Sequence, residues 1–207
     1  MSIPRTIAFN MGKGRLEAFS DGVIAIIITI MVLELKVPHD HGVHLSDLRP
    51  LIPVFLSYIL SFVYVGIYWN NHHHMFHATQ RVSGSILWAN LHLLFWLSLI
   101  PFTTDWMGQT HFAPTPTAIY GAVLLLAGIA YLILERAIVA SHPSDPVLTA
   151  LVEKGWKEYV SVACYALAVP LAFVSPWISE VLYVLVAVLW FVPDRRIERL
   201  LRDASAK

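Results

Sequence analysis

The chain has 207 residues, 57% of them hydrophobic and only 14% charged, with Lys+Arg and Asp+Glu equal at 14 each. A soluble domain carries nearer a quarter charged residues, so this composition and a mean hydropathy of +0.64 exclude a water-soluble globule and point to a membrane protein. Zero net charge gives no footprint for a nucleic-acid partner, and the lone Cys164 excludes an internal disulfide. The opening MSIPRTIAFNMGKG lacks the apolar core and small-residue cleavage site of a secretory signal.

A bilayer-spanning helix needs about 20 mostly apolar residues at about 1.5 Å rise each. Six segments are predicted. The first is Arg15–Lys36. The second, Leu48–His77, is entered through Pro50 and Pro53, which suit a first turn. The third, Val82–Phe102, is expected to end at PFTTD, and the fourth is Pro116–Ser141. The fifth and sixth, Lys157–Val174 and Pro176–Val192, are short and joined by little more than Ser175-Pro176, so a re-entrant hairpin is the alternative there.

The basic residues sort by side. Arg5, Lys13, Arg15, Arg81, Arg136, Lys154, Lys157, Arg195, Arg196, Arg199, Arg202 and Lys207 fall on one side of a six-span chain, and only Lys36 and Arg49 on the other. Cytoplasmic loops carry the excess of Lys and Arg, so both termini are expected in the cytoplasm. A five- or seven-span arrangement would scatter these charges. The expected fold is a single all-α transmembrane domain over residues 1–207, with a short basic tail at 194–207 lying at the inner surface. Trp69, Trp88, Trp106, Trp156 and Trp177 fall near predicted span ends, as interfacial aromatics do.

The first span raises two questions of orientation. At 100° per residue, Ile26, Thr29, Ile30 and Leu33 share one face, and Asp21, Ile24, Ile28 and Leu35 the opposite one. Both faces are apolar, so periodicity does not say which meets lipid, protein or water. A carboxylate facing lipid costs a few kcal/mol, so Asp21 either finds donors on neighbouring helices or, with Ser20, caps the helix start. Thr29 either bonds back to the preceding turn, the commoner role, or serves as a ligand.

The second span ends in YWNNHHHMFH, where Trp69, Asn70 and His73 share a face near the level of Asp21. Asn and His can donate to a carboxylate. The i, i+4 pair His73 and His77 has zinc-helix spacing, but no Cys or nearby Glu completes a site. His72, His74 and His77 are otherwise expected to sit wet at the interface. The outer loop with His39, Asp40, His41 and His44 has the same choice between binding a cation and simple solvation. His92 and Glu135 belong to no recognised catalytic motif, so an enzyme is not expected and neither metal nor cofactor is assigned.

RLEAFSDGVIAIIITI followed by YWNNHH resembles the bacterial branch of the lysosomal potassium channel family known as transmembrane protein 175. The match is carried by Arg15, Phe19, Ser20 and Asp21, backed by Trp69, Asn70 and His73. The resemblance implies one six-helix repeat per chain and a homotetramer in the cell membrane whose first helices line a central pore. It implies a hydrophobic constriction at Ile26, Ile30 and Leu33 and a potassium-preferring layer at Thr29. It also implies a structural polar network of Arg15, Ser20, Asp21, Trp69, Asn70 and His73. The expected function is passive potassium conduction, with potassium as the permeant ion and membrane lipids and further copies of the chain as partners. The alternative is a small proton-coupled membrane transporter, although the midplane is nearly free of charge.

Overall fold

The computed structural model describes residues 12–37, 44–143 and 156–191. These form seven α-helices and one 3₁₀ segment, with no strand among the described residues. They are α1 (Lys13–Leu33), the 3₁₀ segment Leu45–Leu51 running into α2 (Ile52–Ala78), α3 (Gly84–Ser98), α4 (Ile100–Gln109), α5 (Pro114–Ser141), α6 (Trp156–Leu171) and α7 (Pro176–Phe191). Lys13–Leu33, Leu45–Ala78, Gly84–Gln109 and Pro114–Ser141 are each long and apolar enough to cross a membrane, and Pro176–Phe191 is a shorter apolar helix. The basic tail at 194–207 and the loop residues His39, Asp40 and His41 lie outside the described residues.

Local chemistry sets the boundaries. Proline occupies the first turn of α2 and of α5, where its missing N–H costs nothing. Ser83 caps α3, its hydroxyl accepting from the Ile86 amide at 3.4 Å. The third predicted span does not end at PFTTD. Pro101 breaks the regular ladder between α3 and α4, and the helix then resumes through Thr103 and Thr104 to Gln109. A proline inside a helix removes one N–H and crowds the carbonyl four residues back, which bends a span without ending it. Thr103 and Thr104 return their hydroxyls to the Leu99 and Ile100 carbonyls at 3.2 and 2.7 Å, and neither residue needs the loop that the sequence suggests.

α5 is the hub, packed by α3 and α4 on one side and by α6 and α7 on the other. The interior around it is joined by hydroxyls as well as by apolar contact. The Thr104 hydroxyl, its own proton given to the Ile100 carbonyl, accepts from Ser61 at 2.6 Å, and Ser61 pairs with the Tyr120 hydroxyl at 3.0 Å. Tyr64 donates to the Tyr183 carbonyl at 2.6 Å, and the Tyr183 hydroxyl to the Thr117 carbonyl at 3.1 Å. In an apolar medium each such group must find a partner inside the protein. Gly121 makes room for this: a methyl group there would overlap the Tyr183 hydroxyl.

α6 and α7 form an antiparallel pair along their length. Ser179 donates to the Ala168 carbonyl at 2.7 Å near the hairpin, and the Trp190 indole donates to Ser161 at 2.9 Å near the other end. At one end of the bundle Lys13 donates to the His77 carbonyl at 2.9 Å, and Ser83 pairs with Ser141 at 3.1 Å. The start of α1, the end of α2, the start of α3 and the end of α5 therefore lie together, and among the described residues this is the end that carries Lys13, Arg15, Arg81 and Arg136. At the opposite end Phe112 packs on Trp177 with ring centres 5.6 Å apart.

Candidate pore-lining helix and its polar anchor

α1 buries one stripe against its own subunit: Leu16, Ser20, Ile24, Ile27 and Met31. The spacing is that of a helix packed on one side. The opposite stripe is uncovered. Ile26 is 57% exposed, Ile30 43% and Leu33 74%, and Thr29 lies between them, also exposed. The four residues that the wheel groups together thus share one open face. A groove of about 480 Å3 runs beside this face, between α1 and the α3–α4 bend, lined by Ile26, Ile30, Ser98 and Phe102 with Glu34 and Asp105.

The Thr29 hydroxyl donates to the Ile26 carbonyl at 2.9 Å. This is the back-bond that polar residues in apolar helices commonly adopt. It consumes the only proton on the hydroxyl and leaves oxygen lone pairs available, so on the open face Thr29 presents an acceptor.

Asp21 is no helix cap. α1 starts at Lys13 after Gly12, which puts Asp21 in the third turn. Its carboxylate accepts from the Trp69 indole N–H at 3.0 Å, so α2 does supply the donor, through Trp69 rather than through Asn70 or His73. His73 stacks on the Trp69 ring at 6.0 Å between centres. Arg15, Asn70 and His73 are exposed, and among the described residues none of the three makes a side-chain hydrogen bond or ion pair within the subunit.

The structure adds a buried chain that sequence reasoning missed. Ser20 donates to the Leu16 carbonyl at 2.9 Å and accepts from the Asn90 amide at 2.9 Å, while the Asn90 carbonyl meets His72 Nε2 at 2.7 Å. His72 is 1% exposed and lies against Phe76 with ring centres 4.5 Å apart. It does not sit wet at the interface, as expected from the sequence. With Asn90 accepting and its amide committed to Ser20, His72 Nε2 carries the proton. The chain joins α1, α2 and α3 at one level. The signal was present: His72 continues the buried stripe of Ser61, Tyr64, Tyr68, Met75 and Phe76, and Asn90 that of Ile86, Leu93 and Leu97.

His92 accepts from the Trp96 indole at 2.9 Å on the exposed side of α3. Among the described residues no three His, Cys, Asp or Glu side chains converge as metal ligands.

Comparison with known proteins decides the family. A family model described as endosomal/lysosomal potassium channel TMEM175 matches residues 15–101. A potassium channel of Chryseobacterium sp. (strain P1-3) is 54% identical over 193 residues, covering 93% of this chain and all of that one. The chain belongs to the TMEM175 family. It is therefore a multi-pass membrane protein of an ion channel family. Among solved structures, a lysosomal potassium-selective channel TMEM175 homolog from Chamaesiphon minutus superposes with a TM-score of 0.74 at 29% identity, covering 86% of this chain and 95% of that one. An endosomal/lysosomal proton channel TMEM175 of Danio rerio is 25% identical over 192 residues, and the match spans 36% of its length. The TMEM175 match at 15–101 includes both α1 stripes, Trp69 and the buried Ser20–Asn90–His72 chain.

Proposed function

We propose that four copies of this TMEM175 chain surround a passive potassium pore in the cell membrane, with α1 of each copy lining the axis. The observation that carries this reading is the open stripe of Ile26, Thr29, Ile30 and Leu33, set back to back with a stripe the subunit buries. Four symmetric copies turn that stripe into rings. Rings of branched aliphatics at Ile26, Ile30 and Leu33 stop ions by dewetting, because an ion sheds its water only where other ligands replace it. The Thr29 ring offers four acceptor oxygens, a partial substitute for hydration that favours the more easily dehydrated cation. Ser20, Asp21 and Trp69 hold the pore helix from behind. Arg15, Asn70 and His73, left open by the subunit, complete the same network with groups from the adjacent copy.

The test is flux from liposomes holding the purified chain, with potassium or sodium as the permeant ion and no proton gradient, together with the mass of the intact complex. Passive potassium flux exceeding sodium flux through a four-copy complex supports the proposal. Ile26→Asn is expected to raise basal flux by wetting the constriction. Uptake that requires a proton gradient would replace this reading with the transporter.

A further inference from the structure

We propose that His142 is a pH-operated latch between the α2–α3 turn and the end of α5, and that its protonation frees the inner end of α2. The proposal rests on the channel reading for its effect on flux, and on the geometry alone for the latch itself.

α2 stops at Thr79, whose backbone turns to an extended conformation. The next two amides, Gln80 and Arg81, leave the helix with no carbonyl of their own to bond. Both instead donate to one atom, His142 Nε2, at 3.3 and 3.0 Å. His142 Nδ1 lies 2.9 Å from the Ile138 carbonyl one turn back in α5. A ring nitrogen that accepts two N–H groups has no proton, so the proton is on Nδ1 and donates to Ile138. The residue is only 8% exposed.

Protonation removes this arrangement entirely. Imidazolium has a donor at both nitrogens, so Nε2 would point an N–H at two backbone N–H groups. The turn and the ring must then separate. Among the described residues, the charged and titratable groups around the latch do not oppose that outcome. Arg81 is in the turn itself, His77 is exposed at the end of α2, and Glu135 and Arg136 lie on α5 nearer its middle. Among the described residues no carboxylate is within ion-pair distance of the ring to stabilise its charged form. Histidine is the side chain whose ordinary titration falls between about pH 5 and 8.

The latch sits where it can act on α1. The same end of α2 receives the Lys13 ammonium at the His77 carbonyl and stacks His73 on Trp69, the donor to Asp21. Releasing the turn from α5 lets the inner ends of α2 and α1 move outward together, and flux is expected to rise as pH falls on the side that carries the basic residues.

Two measurements test it. In liposomes holding the full chain, flux of the wild type is expected to rise roughly fivefold or more between about pH 8 and pH 5, the lower end of ordinary coupling between separate sites. His142→Gln keeps an acceptor oxygen without a titratable proton and is expected to flatten that rise; an equal rise in both proteins, or none in the wild type, overturns the proposal. Hydrogen exchange on the wild type, corrected for the intrinsic pH dependence of exchange, reads the latch without any variant and without reference to conduction. The Gln80 and Arg81 amides are expected to lose protection on acidification while those of mid-α5 keep theirs. Unchanged protection overturns the latch, and lost protection with constant flux leaves the latch but overturns its role in gating.

Discussion

The two long faces of α1 have almost the same apolar composition and opposite fates. One carries Leu16, Ser20, Ile24, Ile27 and Met31 into the subunit, and the other leaves Ile26, Thr29, Ile30 and Leu33 uncovered. What separates them is a single polar residue on each. Ser20 is fully buried and used twice, once as donor and once as acceptor. Thr29 spends its proton within its own turn and shows its oxygen outward. In an apolar medium the position of one hydroxyl, more than hydrophobicity, tells which face is glued and which is left for another partner.

That contrast can be broken from the buried side first. Asn90→Ala removes the middle of the Ser20–Asn90–His72 chain: the buried His72 Nε2–H loses its acceptor, at a cost of about 1–3 kcal/mol, while Ser20 keeps its bond to the Leu16 carbonyl. The largest loss of thermal stability in detergent is expected there, about 1–3 kcal/mol. A variant as stable as the wild type would mean that water replaces the amide. Asp21→Asn keeps an acceptor for the Trp69 indole but removes its charge, and a loss of about 1 kcal/mol is expected. Thr29→Ala is expected to leave stability within about 0.5 kcal/mol, as for an exposed position without a structural partner. Its effect is a shifted reversal potential, with potassium preference over sodium reduced. If Thr29→Ala instead unfolds the subunit, the open face is a structural contact and the contrast fails.

Helix positions and the grouping of Ile26, Thr29, Ile30 and Leu33 on one face were legible because both rest on local pattern: long apolar runs bounded by proline and polar turns, and a 100° period along α1. Which face stays open was not legible, because both are apolar. The end of the third span was misread because Pro101 gives the same local signal whether it stops a helix or bends one. Only packing of α4 against α2 and α5 makes continuation the better outcome. His72 and His73 differ by one position, a turn of 100° about α2. Their neighbours in the sequence are equally polar, and it takes the partner, Asn90 on α3, to make His72 the buried one. Likewise Asp21 could be placed behind the stripe, but not matched to the Trp69 indole among several nearby donors.

From Ile26 to Leu33 the open face of α1 holds no ionisable side chain. If this face walls the proposed pore, that stretch is blind to acidity and offers a passing ion no fixed charge on which to linger. Any response of such a pore to acid must then enter at its mouths or through the scaffold.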